Sequence, residues 1–144
     1  MSERCFVDSN VLVYAHDTSA GERHRVARDL VLGLWRERNG VVSTQVLEET
    51  YVNLRRKAGH PLSADTARSL LRDYLAWEVV VNDGEAVVEA TRLEERYGIS
   101  FWDALIVHAA NVSRSTTLLT EDLSHGQHYG GVVAHNPFLC GARL

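Results

Sequence analysis

The chain of 144 residues reads as an α/β protein, a parallel sheet covered by helices on both faces. Three observations predict this. Short apolar runs alternate with amphipathic helical stretches along the chain. Hydrophobic residues make up 45% and charged residues 24%, ordinary for a globular protein able to bury a proper core. No repeat, low-complexity tract or Pro/Gly/Ser linker interrupts the pattern, so residues 1–144 are expected to form one domain.

The elements follow in order. "RCFVD" reads as a short buried strand. "GERHRVARDLVLGLWRER" is helical, with Val26, Leu30 and Leu34 on one stripe, and Asn39-Gly40 stops it. "VVS" is a second strand. "TQVLEETYVNLRRKAG" is helical, with Leu47, Tyr51, Leu54 and Ala58 on its stripe and Gly59 as its stop. Gly40 and Gly59 read as turn residues. "SADTARSLLRDYLA" opens on a serine cap and "WEVVV" is a strand. "DGEAVVEATRLEERYG" is a helix with an aspartate cap and a glycine stop. "SFWDALIVHAANVSR" is a strongly apolar helix, "TTLLT" a strand and "GVVAHN" the last strand.

Composition excludes several classes. No apolar stretch is long enough to span a membrane, and "MSERCFVDSN" lacks the layout of a signal peptide, so a cytosolic location is expected. Cys5 and Cys140 are too few for a disulfide framework and show no zinc spacing; two reduced thiols are expected. A net charge of −4 argues against an obvious electrostatic nucleic-acid binder.

In parallel sheets, function collects beyond the C-terminal strand ends. Asp8 follows the first strand; Glu121 and Asp122 follow "TTLLT". If those strands are neighbours, their acids meet at one edge. Each acid also has a simpler reading. Asp8-Ser9-Asn10 can cap a helix starting at Val11. Glu48 and Glu49 both fall off their helix's apolar stripe, and periodicity does not choose between them. Asp103 is a charge in an apolar helix, or the fourth position of a capping box opened by Ser100. Thr120-Glu121-Asp122 can be a plain turn. The conjunction carries more than any member, because clustered carboxylates repel unless something positive joins them. Oxygen ligands without cysteine or a matched histidine pair suit Mg²⁺ or Mn²⁺ rather than zinc, and such ions serve phosphate chemistry. With four acids set aside, the remaining acids equal the 15 Lys plus Arg, so the rest of the chain is formally neutral.

"FVDSNVLVYA", "STQVLEETYVNL", "SFWDALIVHAA" and "TTLLTEDLSHGQ" together resemble the PIN domain, and within it the small VapC-like ribonucleases. The resemblance runs from about Cys5 to Phe138. It implies a Rossmann-like three-layer α/β/α sandwich with a five-stranded parallel sheet. It also implies a divalent-metal endoribonuclease cutting single-stranded or looped RNA. The implied site is Asp8, Glu49, Asp103 and Asp122, both catalytic and metal-holding, with Asn10, Thr120 and Glu121 in support. A homodimer, an antitoxin partner and a toxin's role follow from the resemblance alone.

The rivals are an inactive PIN module that binds RNA or a protein, and a phosphatase of the haloacid-dehalogenase type. The second would use the first-strand aspartate as nucleophile, but position 10 is Asn where that family shows Asp. Among weaker signals, Arg55-Arg56-Lys57 reads as a solvated helix end, His125 as a structural or substrate-side group, His108 as a satisfied core histidine, and Trp102 as packing or a base-stacking aromatic.

Overall fold

The computed structural model describes residues 3–56 and 58–139, so Lys57 and Cys140 lie outside the described residues. The first strand, β1 (Cys5–Val7), leads into α1 (Ser9–His16); a single 3₁₀ turn (Thr18–Ala20) and α2 (Glu22–Glu37) follow. Next come β2 (Gly40–Ser43), α3 (Thr44–Arg56), α4 (Ala64–Tyr74), β3 (Glu78–Val80), α5 (Gly84–Tyr97) and α6 (Phe101–Val112). The chain closes on β4 (Thr117–Leu119), β5 (His128–Tyr129) and β6 (Val132–His135).

The sheet order is β3-β2-β1-β4-β6-β5. Five of these strands are parallel, as expected, and β5 adds a two-residue antiparallel edge on β6. The sequence reading did not foresee β5, because two residues carry no periodicity of their own. Phe6, Val7, Val41, Val42, Leu118 and Leu119 are all buried, the pattern of strands covered on both faces. Helices complete the three-layer α/β/α sandwich: α1 packs on α2 and α3, and α5 on α6, which also rests on the sheet. Among the described residues no helix is long and apolar enough to cross a membrane.

Local chemistry explains the helix ends. Ser63, Asp83 and Ser100 cap α4, α5 and α6, each accepting a backbone N–H three residues on. Gly98 ends α5 with φ 62°, a left-handed conformation that glycine adopts without strain. Gly40 is not a turn residue: it opens β2, and a Cβ there would come within 2.7 Å of the Trp77 ring. Its role is to let a strand pass close to an indole. Helix α3 ends at Arg56, before Ala58 and Gly59, although Ala58 is still buried. Cys5 is buried and free, and burial pushes its thiol up to about 12, so it is an inert core group and no nucleophile.

The strand order reverses at β1, whose neighbours are β2 on one side and β4 on the other. Val7 pairs with Leu119, and the Asp8 N–H donates to the Leu119 carbonyl at 2.9 Å. The residues just beyond β1 and β4 therefore share one edge at a topological switch point, where α/β sheets place their ligands.

Candidate functional site

Asp8 ends the pairing of β1 and starts α1. It is the N-cap, with Oδ1 accepting from the Ser9 N–H at 2.7 Å. The same side chain that caps α1 also lines a cleft. Asp8 is only 3% exposed. Its Oδ2 accepts from the Thr120 hydroxyl at 2.8 Å, and the Asn10 amide makes a longer contact at 3.4 Å. Burial pushes the Asp8 carboxyl up to about 7; the Thr120 and Ser9 hydrogen bonds hold it down, and the charges of Asp122 and Glu49 add to the rise.

The remaining acids arrive from other elements. Asp122 lies in the bend after β4, where its N–H donates to Thr120 Oγ1 at 3.0 Å. Thr120 thus fixes both acids through one oxygen. Asn10 Nδ2 donates to Asp122 Oδ2 at 3.0 Å, placing a neutral amide between Asp8 and Asp122. Glu49 comes from α3: its Oε1 accepts from the Ser9 hydroxyl at 2.9 Å and its Oε2 from Gln45 Nε2 at 3.3 Å. Asp103 sits in the first turn of α6, and its N–H donates to the Ser100 cap at 3.1 Å. Burial also raises the Asp103 carboxyl, opposed by Ser100 and reinforced by Asp122 and Glu49.

Asp8, Glu49, Asp103 and Asp122 line one cleft of about 490 Å³, with Asn10 among them. Glu48 lines it as well, but is exposed and its side chain makes no hydrogen bond among the described residues, whereas Ser9 and Gln45 hold Glu49. Thr120 is buried beneath the cleft and reaches it through Asp8. Glu121 is not part of the lining. Its side chain accepts from the Tyr14 hydroxyl at 2.9 Å and lies 3.6 Å from Arg23, so it ties the β4 bend to α1 and α2.

The donor set is carboxylate oxygen throughout, which fits a hard divalent cation. Among the described residues no three His, Cys, Asp or Glu side chains form a ready-made cage. Ser9, Asn10, Gln45 and Thr120 each hold one or two of the carboxylates by hydrogen bonds.

His125 Nδ1 accepts from the Asn136 N–H at 3.0 Å, a structural bond. His108 is half-buried and its side chain makes no hydrogen bond among the described residues, so it is not a satisfied core histidine. Trp102 is 63% exposed, so it is not packing. Arg55 and Arg56 are exposed at the end of α3, the solvated helix end expected. Ser9 and Gln45 were missed as candidates. For Gln45 a signal existed, since it lies four residues before Glu49 on the same helical face.

A family model of the PIN domain matches residues 5–129. Solved structures share the fold. A toxin–antitoxin complex from Klebsiella pneumoniae matches with a TM-score of 0.65 at 19% identity, covering 93% of this chain and 98% of that one. DNA-bound VapBC from Salmonella typhimurium matches with a TM-score of 0.64 at 15% identity, covering 94% and 99%. VapC20 of Mycobacterium tuberculosis, described as a toxin cleaving the sarcin–ricin loop, matches with a TM-score of 0.62 at 22% identity, covering 79% and 86%. No curated protein sequence matches the chain significantly. The family model spans most of the sequence and the architecture agrees, and the chain therefore belongs to the PIN domain family.

Proposed function

We propose that the chain, as one PIN domain, is a divalent-cation-dependent endoribonuclease that hydrolyses single-stranded or looped RNA. The observation that carries this reading is the convergence of four carboxylates, from four separate elements, on one cleft at the switch point of the sheet. A fold that needed only stability would not bury Asp8 beside other acids.

Asp8, Glu49, Asp103 and Asp122 are the groups to hold Mg²⁺ or Mn²⁺. When bound, such an ion supplies charge that activates water and neutralises the phosphate. The chain's own residues supply placement. Thr120 fixes Asp8 and, through the backbone, Asp122. Asn10 orients the Asp122 carboxylate, and Ser9 with Gln45 orients that of Glu49. Glu121 anchors the bend that carries Asp122. In this scheme water is the nucleophile, and the Ser9 hydroxyl, engaged with Glu49, serves placement. In the step water attacks phosphorus, the P–O3′ bond breaks in line, and a proton from the water ends on the departing O3′, which leaves a 5′-phosphate and a 3′-hydroxyl.

The solved neighbours are named as toxins and toxin–antitoxin complexes, which supports a toxin's role for this chain, restrained by an antitoxin. A cytoplasmic homodimer belongs to the same reading. The test is cleavage of single-stranded RNA by purified protein with Mg²⁺, with Mn²⁺ and with EDTA. Cleavage that EDTA abolishes, either cation restores and Asp8→Asn lacks is the expected result. Full activity in EDTA, retained by Asp8→Asn, would refute it. Tight RNA binding without any cleavage would favour the inactive module.

A further inference from the structure

The cleft poses a problem for its substrate. Five acids line it, and among the described residues no lysine or arginine does. Among the described residues that line the cleft, none offers phosphate a cationic side chain, the usual source of nucleic-acid affinity. A protein without that source can hold a single strand by stacking its bases on aromatic rings, which is independent of charge.

Among the described residues, one aromatic side chain lines the cleft. Trp102 precedes Asp103 in the first turn of α6 and is 63% exposed, an unusual setting for the largest apolar side chain. It is also held in place. Gln45 Nε2 donates to the Trp102 carbonyl at 3.1 Å while reaching Glu49 at 3.3 Å, which joins the indole's backbone to α3 and to an acid of the cleft. The Phe101 ring meets the indole nearly edge-on, with centroids 5.1 Å apart at 82°. An aromatic side chain on a pinned helical turn offers a large flat surface at low entropic cost. Val52, also exposed, and Ile106 give the same cleft apolar surface near it.

We propose that the Trp102 indole is the stacking platform for one unpaired base of the RNA next to the scissile phosphate. The inference rests on the ribonuclease reading above and adds a requirement to it. The preferred substrate has an unpaired base at one fixed distance from the cut. Duplex RNA, whose bases are already stacked on each other, lacks the needed face.

The test uses the Asp8→Asn chain, which should not cut, with Mg²⁺ and a labelled short single-stranded RNA. Adding Trp102→Ala should weaken binding by roughly tenfold, the effect of losing one base-stacking aromatic. Trp102→Phe should recover most of that. An abasic nucleotide scanned through the RNA should reproduce the loss at one position and cost nothing further there in the Trp102→Ala chain, because the two changes remove the same contact. Trp35 and Trp77 emit as well, so indole quenching by RNA should be present in the parent and absent from Trp102→Phe. Unchanged binding in Trp102→Ala, or an abasic penalty that persists in it, would overturn the proposal. Loss of a dimer on Trp102→Ala, seen by sedimentation, would overturn it too, by assigning the indole to a contact between copies. If the unsubstituted chain cuts RNA well while these outcomes appear, the ribonuclease reading stands and only the platform falls. If that chain neither binds nor cuts RNA, both fall.

Discussion

Two cavities of nearly equal size lie on this molecule, and their chemistry is opposite. The acidic cleft measures about 490 Å³, and a second cavity of about 500 Å³ lies between α1, α2 and α4. The second is lined by His16, Trp35 and Tyr74 among others. His16 Nε2 lies 2.6 Å from the Tyr74 hydroxyl, and burial keeps both groups uncharged, lowering the imidazole's pKa and raising the phenol's. Trp35, Tyr74 and Trp77 pack ring against ring, with centroids 4.9 to 5.5 Å apart. That region looks like an aromatic core continued to the surface. In the acidic cleft, by contrast, buried charge is kept beside like charge, which folding alone disfavours. Volume does not locate chemistry; the sign and burial of the groups that converge do.

The largest expected effect separates the two regions by activity. Asp8→Asn or Asp122→Asn should lower RNA cleavage at least about a hundredfold, since even losing an outer partner of a metal ligand costs 10- to 100-fold. His16→Ala should leave cleavage within about twofold, a change too small to count as a transition-state contribution. A strong loss from His16→Ala would erase the contrast.

The next effect is on stability without cation. The folded Asp8 carboxyl sits at about 7, above the ordinary carboxylate value of about 4. Between those values the folded state binds more protons than the unfolded one. Asp8's stabilising share is therefore full below about pH 4 and lost as pH rises to about 7. Thermal melts in EDTA should show this decline in the wild type, on the order of a few kcal/mol, and a much flatter curve in Asp8→Asn. Asp103→Asn should also melt higher than wild type near neutral pH without cation. The Ser100 cap bond uses the backbone N–H of residue 103, so the substitution leaves it intact. Mn²⁺ should raise the wild-type melting temperature by mass action and do less for either variant.

A smaller effect tests how Asp8 is tuned. Thr120→Val keeps the shape and removes the hydroxyl that holds the Asp8 pKa down. The acidic limb of the pH–rate profile should move to higher pH, with the alkaline limb unmoved. The smallest effect belongs to the aromatic cavity. Tyr74→Phe removes the contact with His16 and should cost about 1 kcal/mol of stability, a typical net hydrogen bond, with cleavage unaltered.

Much of this was legible in the sequence. Alternating periodicity predicted every parallel strand, and the caps at Ser63, Asp83 and Ser100 could be read directly. The meeting of Asp8 with Asp122 needed one fact that periodicity cannot supply, that β1 and β4 are neighbours, and the register supplies it. Periodicity did not choose Glu49 over Glu48, because the Ser9 hydroxyl that holds Glu49 arrives from a segment far along the chain. Glu121 looked like one more acid of the same run, yet the bend after β4 turns its side chain toward Tyr14 and Arg23. Gly40 looked like punctuation because its constraint, the Trp77 ring, lies on a segment far along the chain. In each case the missing information was long-range contact.

The central claim is that the acidic cleft drives attack by water, with no part for the RNA's own 2′-hydroxyl. Mass spectrometry of the product ends tests it most directly, using an RNA and its counterpart with a 2′-deoxy sugar at the cut. The account predicts that both are cut to 5′-phosphate and 3′-hydroxyl ends. Cyclic 2′,3′-phosphate ends, with the 2′-deoxy substrate left whole, would contradict it.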